Sequence, residues 1–315
     1  MARYLDPKND LTFKRIFGEH PDLLIDFLNA LMPLTPNRLI TEIEYLPAEQ
    51  VPDNPGKKNS LVDVKCKDRS GSVFIIEMQM LWTDDFMQRL VFNAGKAYIR
   101  QIDRGESYHL LQPVYTLAIL NENYDDRTEQ FYHHYRIINS ENTGEVIEGL
   151  EFVLVELLKF QSGKWSDRKM AALWLRFLKE VNERMSVLPE ELANNERICQ
   201  AARLCEEAGF TPSELAAYEA YWDWVRTEKT IREGALAKGR LEGEEIGLAK
   251  GEEIGLAKGE SERVRLKTEL DAKQAEIEEK QQRMVLNCHR KGFSIDIISS
   301  LTGLSHGEII KILDL

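Results

Sequence analysis

Leu61-Val62-Asp63-Val64-Lys65 and Phe74-Ile75-Ile76-Glu77-Met78-Gln79 are apolar and β-branched, and Asp68-Arg69-Ser70-Gly71 between them has the composition of a tight turn. The two runs read as a β-hairpin. Side chains alternate along a strand, so Leu61, Asp63 and Lys65 share one face, and Val73, Ile75, Glu77 and Gln79 share one face of the partner strand. Each of two adjacent strands thus presents a carboxylate in an otherwise apolar setting, with cross-strand neighbours roughly 5 Å apart. Two carboxylates so placed repel unless they share a proton or a cation. A hard divalent cation with oxygen ligands, such as Mg²⁺, satisfies both, and an isolated buried pair is costly without one.

Upstream, residues 10–31 read as helix, with Leu11, Phe13, Ile16 and Phe17 at helical spacing and a second segment, Asp22 to Leu31, after Pro21. Residues 40–46 alternate as a strand, and Pro47 to Asn59 is a polar loop rich in Pro, Asp, Asn and Gly. Downstream, residues 84–104 read as helix and Pro113–Leu120 as a buried strand, with Phe131–Ile138 and Glu151–Leu157 as further strands. The order is helix, three strands, helix, strand.

Asp63, a short gap and Glu77-x-Gln79 resemble the PD-(D/E)XK nuclease signature. More narrowly, the chain resembles the Rpn family of recombination-promoting nucleases, also described as transposases. The likeness extends to Lys8-Asn9-Asp10-Leu11-Thr12-Phe13-Lys14-Arg15-Ile16-Phe17-Gly18, to the helix bearing Arg89 and Tyr98, to Tyr108-His109-Leu110-Leu111-Gln112-Pro113-Val114, and to the glycine-punctuated segment near the C-terminus. It is strongest over residues 1–125. It implies an α/β fold, a restriction-endonuclease-like core of mixed sheet flanked by helices, followed by a helical C-terminal region.

The resemblance also implies a metal-dependent DNA endonuclease of recombination or mobile-element biology, with Mg²⁺ as cofactor and Mn²⁺ as a substitute. Asp63, Glu77 and the Met78 carbonyl would hold the metal. Asp10 matches the family's N-terminal acidic position. Gln79 stands where many superfamily members carry Lys. A lysine favours hydroxide and stabilises developing charge, whereas a neutral Gln can only orient a water. Lys14 and Arg89 are candidates for phosphate contacts, with a structural salt bridge as the alternative for each, and Tyr98 reads as packing.

The chain has 315 residues, enough for one or two domains, with 43% hydrophobic and 30% charged residues. No run approaches the roughly 18 apolar residues of a membrane span, and the first residues lack a signal-peptide core. Cys66, Cys199, Cys205 and Cys288 are scattered, which argues against a disulfide framework or zinc site. A cytoplasmic protein without membrane association is expected. The net charge of −12 argues against a generic nucleic-acid binder. Much of the acidity, however, is C-terminal (Glu242, Glu244, Glu245, Glu252, Glu253, Glu260, Glu262), and Lys14-Arg15, Lys57-Lys58 and Lys65-Cys66-Lys67-Asp68-Arg69 form local basic clusters near the N-terminus. Double-stranded DNA is the expected partner. The histidines show no ligand spacing, and His133 and His134, adjacent on a strand, would point to opposite faces.

From about Ser166 the chain turns helical. Met170, Leu173, Trp174, Phe177, Leu178 and Val181 form an amphipathic stripe, Glu190–Glu207 is helical, and Pro212–Glu233 carries Tyr218, Tyr221, Trp222 and Val225 as packing residues. Gly243-Glu244-Glu245-Ile246-Gly247-Leu248-Ala249-Lys250 recurs unchanged as residues 251–258, so glycines fall at every fourth position from Gly239 to Gly259. In a helix each costs about 1 kcal/mol relative to Ala, and a period of four exceeds the roughly 3.67 residues that turn a supercoil right-handed. The stripe reads as a homo-oligomerisation element or as a repeat-expanded spacer. Residues 261–286 are charged and helix-favouring. Ile295–Leu301 and Gly307–Leu313, with Ser305 and Glu308 as a capping box, resemble a small helix-turn-helix poor in basic residues, either a docking element or a DNA contact.

The expected organisation is a nuclease-like domain over residues 1–160, a helical extension over 161–233, a glycine-repeat and charged helical segment over 234–286, and a small helical tail over 287–315. The competing readings are a catalytically weak nuclease fold kept for DNA binding and an oligomeric regulatory protein.

Overall fold

A computed structural model describes residues 3–50, 60–161, 163 and 169–314. The Lys57-Lys58 cluster, most of the polar loop and Ser166, where the helical region is expected to begin, lie outside the described residues. The chain separates into two compact units, Met1–Arg232 and Glu233–Leu315.

The first unit opens with α1 (Asp10–Glu19) and α2 (Pro21–Leu31). Asn9 caps α1 through its side chain, which accepts from the Leu11 N–H, and Pro21 begins α2 at the position where a missing N–H costs least. The strands are β1 (Ile43–Tyr45), β2 (Glu49–Gln50), β3 (Ser60–Leu61), β4 (Val64–Asp68), β5 (Val73–Gln79), β6 (Val114–Leu120), β7 (Tyr132–Ile138) and β8 (Val146–Glu156), with α3 (Phe86–Ile99) between β5 and β6. Six form one mixed sheet in the order β1-β4-β5-β6-β8-β7, while β2 and β3 pair separately. β5, β6 and β8 run parallel and the outer pairings are antiparallel. A parallel neighbour demands a crossover, which α3 supplies between β5 and β6.

Parity divides the core into two layers. Phe74, Ile76 and Met78 of β5 and Tyr115, Leu117 and Ile119 of β6 join the large cluster with α1, α2 and the helices after the sheet. Val73 and Ile75, with Val114, Ala118 and Leu120, pack instead under α3, against Ala94, Ala97, Phe86 and Leu90. The central strands are therefore covered on both faces, which is why the mostly apolar β6 is buried along its whole length, Thr116 included.

The hairpin forms around Asp68, whose carboxylate accepts from the N–H groups of Ser70 and Ser72, with Gly71 at φ +87°. Its first strand is shorter than the sequence implies. β4 begins at Val64, and Leu61 pairs with Glu49 in the separate two-stranded sheet. The ladder stops because the Asp63 carboxylate, rather than a strand carbonyl, takes the Met78 N–H, at 2.6 Å.

α4 (Lys169–Glu180), α5 (Glu190–Ala193) and α6 (Glu196–Leu204) pack onto the same core as the sheet. Trp174 is fully buried with its ring centroid 5.5 Å from those of both Phe17 and Phe27, and its indole N–H donates to Asp26. Burying each such side chain stabilises the fold by about 2–3 kcal/mol.

The segments expected separately after Pro212 are a single helix, α7 (Pro212–Arg290). In the first unit its Tyr218 and Val225 are buried, and Arg232 forms a forked ion pair with Glu122 at 2.5 and 2.8 Å. In the second unit a methyl group at any of the glycines from Gly239 to Gly259 would meet nothing within 4 Å among the described residues, and Leu241, Ile246, Leu248, Ile254 and Leu256 are exposed. α8 (Ile295–Thr302) and α9 (His306–Leu313) close on the end of α7 around Val285, Ile298 and Ile309. The Ser305–Glu308 capping box is formed.

Candidate active site

The site lies where β4 stops. The pairing of Val64 with Ile76 continues by one residue to set Asp63 opposite Glu77. Ending the strand there opens the edge of β5 to α1 from one face of the sheet and to α3 from the other. Residues 73, 75, 77 and 79 of β5 hydrogen-bond towards β6, as the terminal contacts Val73 N–H to Pro113 O and Asn121 N–H to Gln79 O show. The Met78 peptide therefore faces the other way, with its N–H on Asp63 and its carbonyl on the same side.

Glu77 is 7% exposed. Burial raises its carboxyl to about 8, helped by the charge of Asp63 and opposed by Arg89, by a hydrogen bond from Asn93 and by Lys14. Asp63 rises to about 6, chiefly by desolvation, with Asp10 adding to the rise and the Met78 N–H, Lys14 and Arg89 opposing it. The two titrate as a pair. Two oxygen donors held together at this cost, beside a backbone carbonyl, fit a hard divalent cation. Among the described residues, no three of His, Cys, Asp and Glu gather as a metal cluster, so the carboxylate donors here number two.

Asp10 stands in the first turn of α1, paired with Lys14 at 2.7 Å, and both are partly exposed. The structure brings this pair near enough to act on Asp63 without placing Asp10 in a three-carboxylate cluster. Gln79, two residues beyond Glu77 on the same face of β5, has both ends of its amide engaged. Its Nε2 donates to the Leu81 carbonyl, and its Oε1 accepts from Arg89 Nη2 at 2.6 Å. Arg89 also lies over the Phe86 ring, its Cζ 4.9 Å from the centroid. Tyr98 packs into the small core under α3, and His133 and His134 do point apart, bonding Glu156 and Glu151 respectively.

Two neighbours escape the sequence reading. Asn93 is 1% exposed and donates to Glu77 Oε1 at 3.3 Å, while among the described residues its Oδ1 has no partner. Its signal was the spacing Arg89-x-x-x-Asn93, one helical turn. Tyr221 of α7 lies in the field of Asp63 and Asp10; burial first, then those charges, push its hydroxyl up. No local pattern announces it. Further along α3, Lys96 and Arg100 continue the face begun by Arg89 and Asn93, and burial together with their charges holds the Lys65 ammonium below its usual range.

A family model described as PD-(D/E)XK nuclease family transposase matches residues 7–231. No curated protein and no solved structure matches the chain.

Proposed function

Because the chain belongs to the PD-(D/E)XK nuclease family transposases, we propose that it is a Mg²⁺-dependent endonuclease of double-stranded DNA, with Mn²⁺ as a substitute, acting in the cytoplasm in recombination or mobile-element biology. The observation that carries this reading is the pairing of buried Glu77 with partly buried Asp63 at the edge of β5, both raised above the ordinary carboxylate range. Divalent metals are general in this superfamily, and Asp63, Glu77 and the Met78 carbonyl would hold one here. When bound, it would polarise a phosphoryl oxygen and acidify a water.

The protein's own groups supply the rest. Asn93 fixes Glu77 from α3. Lys14, held by Asp10, and Arg89 would meet phosphate oxygens, and the cations Lys65, Lys96 and Arg100 support a path for the backbone along α3. In the hydrolysis, water's oxygen becomes bonded to phosphorus, the phosphorus–oxygen bond of the chain breaks, and the leaving oxygen ends protonated. The exposed glycine stripe of α7 supports a homo-oligomer formed through the C-terminal unit, while the first unit does the chemistry.

Supercoiled-plasmid nicking by the unsubstituted chain, Asp63→Ala and Glu77→Ala tests the reading. Mg²⁺ or Mn²⁺ is expected to support cleavage, Ca²⁺ binding alone, and both variants to lose nearly all activity with unchanged circular dichroism. Full activity in EDTA would sink the metal mechanism. A DNA gel shift without cleavage in any metal would favour a nuclease fold kept for binding.

A further inference from the structure

We propose that Arg89, positioned by Gln79, supplies to the scissile phosphate the positive charge that a lysine at position 79 supplies in Glu-x-Lys relatives, and that Gln79 acts through Arg89 rather than on water. The inference rests on the nuclease reading above.

The Gln79 amide is not free to hold a water. Its donor end is on the Leu81 carbonyl and its acceptor end on Arg89. The match between strand and helix explains why. Glu77 and Gln79 are two strand residues apart, roughly 6.7 Å. Asn93 and Arg89 are one helical turn apart, roughly 6 Å. α3 thus sets one donor against each of two acceptors, Asn93 on Glu77 and Arg89 on Gln79. A lysine at this position would place two cations at one rung, whereas glutamine offers the guanidinium an uncharged acceptor. Gln79 and Arg89 are therefore complementary choices.

Arg89 also differs from the chain's structural arginines. Arg15 is paired with Glu214 and Arg232 with Glu122. Among the described residues, no carboxylate lies within ion-pair distance of Arg89, which is half-buried, bonded to a neutral amide and backed by the Phe86 ring. A guanidinium carries five N–H donors in a planar fork that suits phosphate oxygens, and the bond to Gln79 occupies one of its nitrogens. Its charge also reaches both Asp63 and Glu77, so a phosphate bound at the pair would lie within its field. Lys14 is the weaker candidate for this role, being ion-paired to Asp10 on the more exposed side.

The test uses the full chain carrying Arg89→Ala, Gln79→Ala, or Arg89→Ala together with Gln79→Lys. Two readouts are taken: Mg²⁺-dependent nicking, and duplex binding by fluorescence anisotropy in Ca²⁺ over a range of salt. Arg89→Ala is expected to slow nicking on the order of 100-fold and to reduce the salt slope of binding by about one. Gln79→Ala should do both more weakly, because it loosens the guanidinium without removing it. The double variant should recover most of the lost rate and the lost slope, since its new ammonium then carries the charge; a merely structural Arg89 would give no such rescue. Arg89→Ala with an unchanged slope and rate overturns the proposal. So does a double variant no better than Arg89→Ala when Gln79→Ala is equally damaging, because Gln79 itself would then touch the reacting water. If the unsubstituted chain nicks in no metal, the nuclease reading fails, and the salt slope alone decides whether Arg89 meets phosphate.

Discussion

At the scale of single residues, the candidate site is a place where folding works against itself. Glu77 and Asp63 are raised to about 8 and about 6 because desolvation, with the charge of Asp63 acting on Glu77 and that of Asp10 on Asp63, favours their protonated forms. An acid whose folded pKa lies above its unfolded value keeps its proton in the folded state after the unfolded chain has lost it. Its contribution to stability therefore falls as pH rises from the unfolded value near about 4.3 through about 8. Groups such as Asp22, Glu122 and Glu214, held below their usual range by bonds and charges, run the opposite way, so the pair is isolated by comparison with a variant. Glu77→Gln mimics the protonated acid. In EDTA it should be more stable than the unsubstituted chain at pH 8 by on the order of 1–3 kcal/mol and melt at a higher temperature, with the difference closing towards pH 4. Mg²⁺ should raise the melting temperature of the unsubstituted chain at pH 8 and have little effect on the variant. Parallel melting profiles for the two proteins across this window would show that the carboxylates are not in conflict.

At the scale of elements, two features govern function: the early end of β4 and the glycine stripe of α7. The first converts an ordinary hairpin into an open edge reached from both faces of the sheet. The second is costly and uncompensated among the described residues, where a methyl group at Gly247 or Gly251 would meet nothing within 4 Å. In a lone helix, Gly247→Ala with Gly251→Ala should therefore stabilise by about 1 kcal/mol each and raise the helical signal. Where a second copy approaches along the stripe, the added methyl groups should instead drive the oligomer apart. Circular dichroism and light scattering on the same double variant separate the cases: more helix with smaller particles supports an interface, and more helix with unchanged particles leaves the repeat as a spacer.

At the scale of the whole molecule, the compact unit Met1–Arg232 contains the full set of candidate site residues, and the family match ends within it, at residue 231. Arg232 ties the first unit's part of α7 to Glu122 and to the Trp82 carbonyl, so a truncation must retain it. A chain ending after Glu233 is expected to keep plasmid nicking, to show a smaller oligomeric state by light scattering, and to make fewer double-strand breaks, because cutting both strands together calls for two sites. The same oligomer before and after truncation would remove the tail's role. Loss of nicking would show that the chemistry depends on the second unit.

Much of this was written locally. Alternation in residues 61–79 gave the hairpin, a carboxylate on each of its two strands, and their placement among apolar neighbours, because a period of two is a property of the strand itself. Helical spacing located α1 and α4, and the exact repeat located the stripe. What lay beyond local reading was docking. Where β4 ends depended on Asp63 capturing the Met78 N–H, a competition between a side chain and a ladder that no propensity records. That Asn93 meets Glu77 and Arg89 meets Gln79 depended on how Phe86, Leu90, Ala94 and Ala97 seat α3 on the sheet. That Tyr221 comes within the field of Asp63 depended on α7 packing back onto the core. The sequence by itself determined which residue types lie on which face of each element. Only the tertiary structure decided which of them meet, because that register is set by the packing of side chains far apart in the chain.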